Sequence, residues 1–151
     1  MASTQNSSSL IQQQAEQEMF ANVQKHLGVS LVKNQKINLC GDTFMQPDFY
    51  SEEHGIVGEI FAHIGKPKKA QDNKIANDIL KMLLLDKIKD RKHRKIIVVC
   101  DESEKRKLEG TSALAESIRQ FGIEVMLEKV SSEMHANILQ AQALQKMTNA
   151  E

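Results

Sequence analysis

The run "IVGEIFAHI" at 56–64 is apolar on both faces of a strand except at Glu59. A short apolar run of this kind, bounded by turn residues, reads as a strand buried on both sides. A carboxylate inside it needs a partner, because an unpaired buried charge is strongly disfavoured. Eleven residues upstream a second acid, Asp48, follows Pro47 in "QPDFY". Proline marks an edge or a strand start, so Asp48 opens a strand with Phe49 and Tyr50. "SEEHG" between the two runs is a turn. Side chains on adjacent strands can converge within about 4–5 Å. Two carboxylates that close repel, and one takes up a proton unless a cation joins them.

The remaining pattern supplies the frame. Residues 1–8 are rich in Ser, Gln and Asn and are expected to be a disordered tail, with a single domain over 9–151. Ile11, Ala15, Met19, Phe20, Val23 and Leu27 recur at helical spacing, and Gly28 stops that helix. Glu16 borders its inward face. The alternation around Ile37 and Leu39 predicts a strand, Gly41 and Asp42 a bulge or tight turn, and 36–64 as a whole a three-strand antiparallel meander. A long helix is expected over 68–89, with Ile75, Ile79, Met82 and Leu83 as its buried stripe and Leu80 and Leu84 alongside. "KIIVVCD" is a central strand. Thr111 or Ser112 caps the next helix, which Gly122 ends. "IEVMLEKV" is a strand parallel to "KIIVVCD" through a right-handed crossover, and a last helix covers 132–147. These elements make a mixed sheet flanked by helices, an α/β fold of order α-β-β-β-α-β-α-β with a closing helix.

Composition narrows the function classes. The chain has 151 residues, 40% hydrophobic and 26% charged, which suits one soluble domain. With no Trp and one Tyr, it lacks a base-stacking platform. No apolar run is long enough for a membrane span. The N-terminus has neither the basic region nor the apolar core of a signal peptide, so a cytoplasmic location is expected. Cys40 and Cys100 lie in apolar runs without metal spacing and read as buried thiols. The net charge of zero hides blocks: −4 over 1–62, +7 over 63–95 and −3 over 96–151. A basic block directly after the acid pair suits a polyanion, or a solvated face.

"PD" at 47–48, ten intervening residues and "EIF" at 59–61 resemble the PD-(D/E)XK nuclease superfamily, whose restriction-endonuclease-like core runs α-β-β-β-α-β. The likeness covers about residues 9 to 130. It implies a Mg²⁺- or Mn²⁺-dependent endonuclease hydrolysing phosphodiester bonds of DNA. Asp48 and Glu59 would be metal-binding acids, the carbonyl of Ile60 a further ligand, and Glu16 the acid contributed by the first helix. The sequence departs from the family at Phe61, where a lysine is usual. Lys74 on the following helix is the first candidate to replace it and Lys66 the second. Gln71 matches a glutamine found on the corresponding helix of related nucleases. Lys66, Lys68, Lys69 and Lys74, and further out the lysines and arginines of 87–95, would contact phosphates. The chemistry fits independently of the name. Mg²⁺ prefers one or two carboxylates with waters and phosphate oxygens, and a nearby lysine helps orient the attacking water. A homodimer would suit cleavage of both strands of a duplex.

Competing readings follow from the same residues. Asp48 can be a turn former, Glu59 half of an ion pair with Lys74 or Lys66, Glu16 and Lys74 solvated helix residues, and Gln71 a border of the apolar stripe. His54 and His63 are not expected as ligands, and Asp101 with Glu102 reads as a surface loop. The missing lysine at 61 supports a catalytically inactive module that binds nucleic acid or a protein partner on the same fold. A doubly wound signalling domain built on "KIIVVCDESE" would need a parallel sheet from about residue 30, against the antiparallel start.

Overall fold

The computed structural model describes residues 4–65 and 68–150. Helix α1 spans Thr4–Leu27. Five β-strands follow: β1 Val32–Lys33, β2 Ile37–Cys40, β3 Thr43–Met45, β4 Phe49–Ser51 and β5 Ile56–Phe61. Then come α2 Lys69–Lys89, β6 Arg94–Val99, α3 Glu102–Leu108, α4 Ala113–Gln120, β7 Glu124–Leu127 and α5 Ser132–Ala150. Five strands form one mixed sheet in the order β1-β4-β5-β6-β7. The β1–β4 and β4–β5 pairs are antiparallel; β5–β6 and β6–β7 are parallel. Among the described residues no helix is long and apolar enough to cross a membrane.

Every residue of β5 is buried, because helices cover both faces of the sheet. Side chains alternate across a strand. Ile56 and Ile60 therefore join Ala15, Met19 and Val23 of α1 and Ile138 of α5, while Val57 and Phe61 join Ile75, Ile79, Met82 and Leu85 of α2. Gly58 is fixed by sterics rather than by its backbone angles. The Phe49 ring lies across it, and a Cβ there would sit 1.9 Å from the ring carbon Cζ. Ser112 caps α4 by accepting from the Ala115 amide at 3.1 Å, and α2 ends at Asp90, which takes the left-handed conformation at φ 49°.

Five expectations need correction. The antiparallel trio exists, but its first member is Val32–Lys33. The alternating segment around Ile37 instead pairs with Thr43–Met45 as a separate hairpin turned at Gly41 and Asp42. Alternation identifies a strand but not its partner. Cys40 consequently lies at the hairpin tip and is exposed, whereas Cys100 is buried. Leu80 and Leu84 do not flank a buried stripe; Leu80 is 65% exposed and Leu84 and Ile88 lie on the same outer ridge. Helix α1 begins at Thr4 rather than near residue 9, residues 1–3 lie outside the described residues, and Glu102 starts a helix instead of lying in a loop.

The basic block is also differently employed. Lys95 is 2% exposed, and its ammonium donates to Asp86 and to the carbonyl of His93. Arg91 donates to the carbonyls of Glu52 and Glu53, and Arg94 pairs with Glu124. These three residues hold loops and strands together, and of them Lys95 is buried away from the surface.

Candidate active site

The β4–β5 register aligns Ser51 with Ile56, Tyr50 with Val57 and Phe49 with Gly58. One further step sets Asp48 opposite Glu59. Directly opposed residues of an antiparallel pair share a face. The ladder stops at Phe49, since Pro47 has no amide hydrogen to donate. The Asp48 side chain takes over: its Oδ2 accepts from the Ile60 amide at 2.7 Å. The Asp48 carbonyl accepts from the Asn34 amide at 3.2 Å, tying the β1 end to the same point. In a strand, the carbonyl of a residue points to the same edge as its amide. The Ile60 carbonyl therefore faces the Asp48 side.

Glu59 is 7% exposed, on the sheet face that α2 covers. Its carboxyl is pushed up to about 9, first by burial, then by the Asp48 charge, a hydrogen bond shared with the Asp48 carboxyl and the charge of Asp78; Lys74 opposes this. At neutral pH the buried Glu59 thus keeps a proton. Glu16 approaches from α1. Burial raises its carboxyl and the charge of Asp48 adds to this, whereas a hydrogen bond from Gln12 at 3.2 Å, with Lys74 and Lys33, pulls it down. Glu16, Phe20, Lys33, Asn34, Asp48 and Ile60 line an open cavity of about 380 Å³.

Phe61 follows Ile60 at the end of β5, at the position where the resemblance implies a lysine. The Lys74 ammonium lies 4.9 Å from the centre of its ring, an arrangement that favours a cation over an aromatic face. It also bonds Asp78 Oδ2 at 3.1 Å. Burial lowers the Lys74 ammonium, but the charges of Asp78, Glu59 and Asp48 outweigh it, so its net shift is upward and it stays charged. A cation therefore reaches the acid pair from α2 across Phe61 instead of from position 61 itself. Asp78, buried with Ile75 and Ile79, was not anticipated from the sequence. Its signal is a carboxylate in register with the buried stripe, four residues after Lys74.

Other anticipated residues lie apart. Gln71 accepts from the Lys68 amide at 3.0 Å and so caps α2. It lines, with Lys68, a second cavity further along β5. Lys69 is exposed at the first position of α2, and Lys66 lies outside the described residues. Among the described residues no three His, Cys, Asp or Glu side chains cluster closely enough to form a ligand cage. The acid centre is a pair, Asp48 with Glu59, with Glu16 at longer range. Asp101 accepts from the Gly65 amide at 2.8 Å and from Ser103, fastening the β5–α2 loop to α3. No family model, curated protein or solved structure matches this chain.

Proposed function

We propose that the chain is a Mg²⁺- or Mn²⁺-dependent endonuclease-like protein that hydrolyses phosphodiester bonds of DNA on a restriction-endonuclease-like core. One observation carries the reading: the β4–β5 register sets Asp48 opposite Glu59, which is 7% exposed, and burial with the Asp48 charge pushes the Glu59 carboxyl up to about 9. A folded protein gains nothing from packing two acids together unless something replaces the proton between them. The donor set suits a hard divalent cation that keeps several waters: Asp48 lines an open cavity with Ile60, and Glu59 is buried opposite it. The order of α1, three antiparallel strands, α2 and a parallel strand supports the same core.

Asp48, Glu59 and the Ile60 carbonyl would hold the cation, with Glu16 bordering the cavity that a phosphate would enter. The bound cation would supply a more acidic water and neutralise charge on the phosphate. Lys74 would help orient that water and steady the developing negative charge. Asp78 holds the Lys74 ammonium in place and keeps it protonated.

Nicking of supercoiled plasmid tests this. Wild type is expected to cut with Mg²⁺ or Mn²⁺ and not with EDTA, and Glu59→Ala and Asp48→Asn are expected to lose at least about a hundredfold in rate, the scale of removing one group that stabilises charge in the transition state. Wild-type protein that binds DNA but never cuts, with either metal, would favour the inactive module. The engagement of Lys74 with Asp78 and the aromatic residue at 61 are what support that second reading.

A further inference from the structure

The largest of the described cavities, about 500 Å³, opens between α1, the start of α2 and α5. Its lining contains no carboxylate. It has two lysines, Lys68 and Lys146, the imidazole of His63, and glutamine amides including Gln12, Gln71 and Gln142. Among the described residues neither lysine forms an ion pair, and the buried Nε2 of His63 has no hydrogen-bond partner. Its Nδ1 faces Gln142 Oε1 at 3.3 Å. Gln142 itself is a brace: it accepts from the Ile64 amide at 3.0 Å and donates to the Ile64 carbonyl at 2.9 Å. An uncompensated basic rim over a floor of amides, each both donor and acceptor, suits a ligand that is anionic at one end and rich in hydrogen-bonding edges at the other. An unpaired buried ring nitrogen is costly unless a ligand or water meets it.

The cavity lies one helical turn from the acid cavity along α1. Gln12 lines the first and donates to Glu16, which lines the second. His63 lies four residues beyond Glu59 on the extended chain, at most about 13 Å. That is roughly four nucleotide rises at ~3.4 Å each.

We propose that this cavity seats a nucleotide unit of the DNA strand a few nucleotides from the cleaved bond. Lys68 and Lys146 hold its phosphate, and His63 Nε2 and the glutamine amides meet its base and sugar edges. The inference rests on the nuclease reading for the word "cleaved" but is tested without cleavage. Binding of a fluorescent single-stranded oligodeoxynucleotide is measured by anisotropy in EDTA for wild type, for Lys68→Glu/Lys146→Glu, and for Lys25→Glu/Lys36→Glu. The last pair carries the same charge change at exposed positions, with Lys25 about 20 Å from Gln12 along α1. The cavity pair is expected to lose about tenfold or more in affinity and the distant pair less than about twofold, since phosphate contacts act locally once salt screens the field. Equal losses in both pairs, or none, overturn the proposal. A second measurement follows the His63 ring signals by NMR. A deoxynucleoside monophosphate should shift them, and inorganic phosphate alone should not reproduce the shift; identical shifts would overturn the nucleotide assignment. If wild type cuts DNA while the cavity pair binds unchanged, this inference fails and the nuclease reading stands. If binding depends on Lys68 and Lys146 but no divalent cation supports cutting, the reverse holds.

Discussion

The two ends of α2 treat buried charge in opposite ways. At its C-terminal end Asp86 meets the Lys95 ammonium, the His93 amide and the His93 ring. Burial alone would raise its carboxyl, but the Lys95 and His93 bonds outweigh burial and hold it below the ordinary range. At the N-terminal end three acids, Glu59, Asp48 and Asp78, face the ammonium of Lys74, and Glu59 is held far above the ordinary range. Asp86 is a charge matched by donors, whereas Glu59 is a buried acid with acids for neighbours, and it keeps its proton. The same helix and the same sheet carry both, so the difference lies in local donor count.

The sharpest way to break this contrast is Glu59→Gln in EDTA. The folded carboxyl ionises near 9 against 4.5 unfolded. The folded protein therefore holds the extra proton, and wild-type stability falls as pH rises from about 4.5, levelling off above about 9. The variant should gain up to about 5 kcal/mol at pH 8, by the 1.36 kcal/mol that each pKa unit represents, and almost nothing at pH 4. Denaturant unfolding across pH reads the gain. A flat difference would show that Glu59 is not strained. Mn²⁺ should raise the melting temperature of wild type and leave the variant where it was.

Asp86→Ala attacks the other end and should have the opposite sign. Removing the acceptor strands the Lys95 ammonium in the core, at a cost of about 4 kcal/mol. Asp86 lies below its ordinary 3.8, so its contribution is present above that pH and fades as pH falls through the folded value. The same unfolding series checks it: the deficit should shrink toward pH 3, where the Glu59 variant also shows no gain.

Glu104 asks whether excess acid alone makes a site. It is buried, neither carboxyl oxygen has a partner among the described residues, and its carboxyl is raised to about 7 by burial, then by Asp101 and Asp72. None of the cavities described above includes it. Glu104→Gln should gain up to about 3 kcal/mol above pH 7, shrinking toward zero by about pH 4.5, since the folded protein again holds the extra proton. Unlike Glu59→Gln, it should leave both DNA cutting and the Mn²⁺ response intact.

Much of the frame was readable because it rests on repeating patterns. The α1 stripe, the α2 stripe, the buried strand "KIIVVCD" and the Ser112 cap all follow from local chemistry. The acid pair was readable for a related reason: a turn between two strands fixes their register, and register fixes which side chains oppose one another. What resisted reading depended on distant partners. Val32–Lys33 is too short to show alternation, yet it completes the antiparallel trio. Lys95 looks like one more solvated lysine in a basic block until Asp86 is brought beside it. Asp78 matters because α2 lays it over Glu59, a relation that no spacing along the chain reveals.

Phe49 and Gly58 act as a key and its slot. The ring can lie flat across the neighbouring strand only where no side chain stands, so any slip of one residue would drive it into Val57 or Glu59. A slip would also turn Asp48 and Glu59 to opposite sides of the sheet. The pairing of 48 with 59 is thus guarded by two apolar neighbours that take no part in it, and a change at either of them calls for a change at the other.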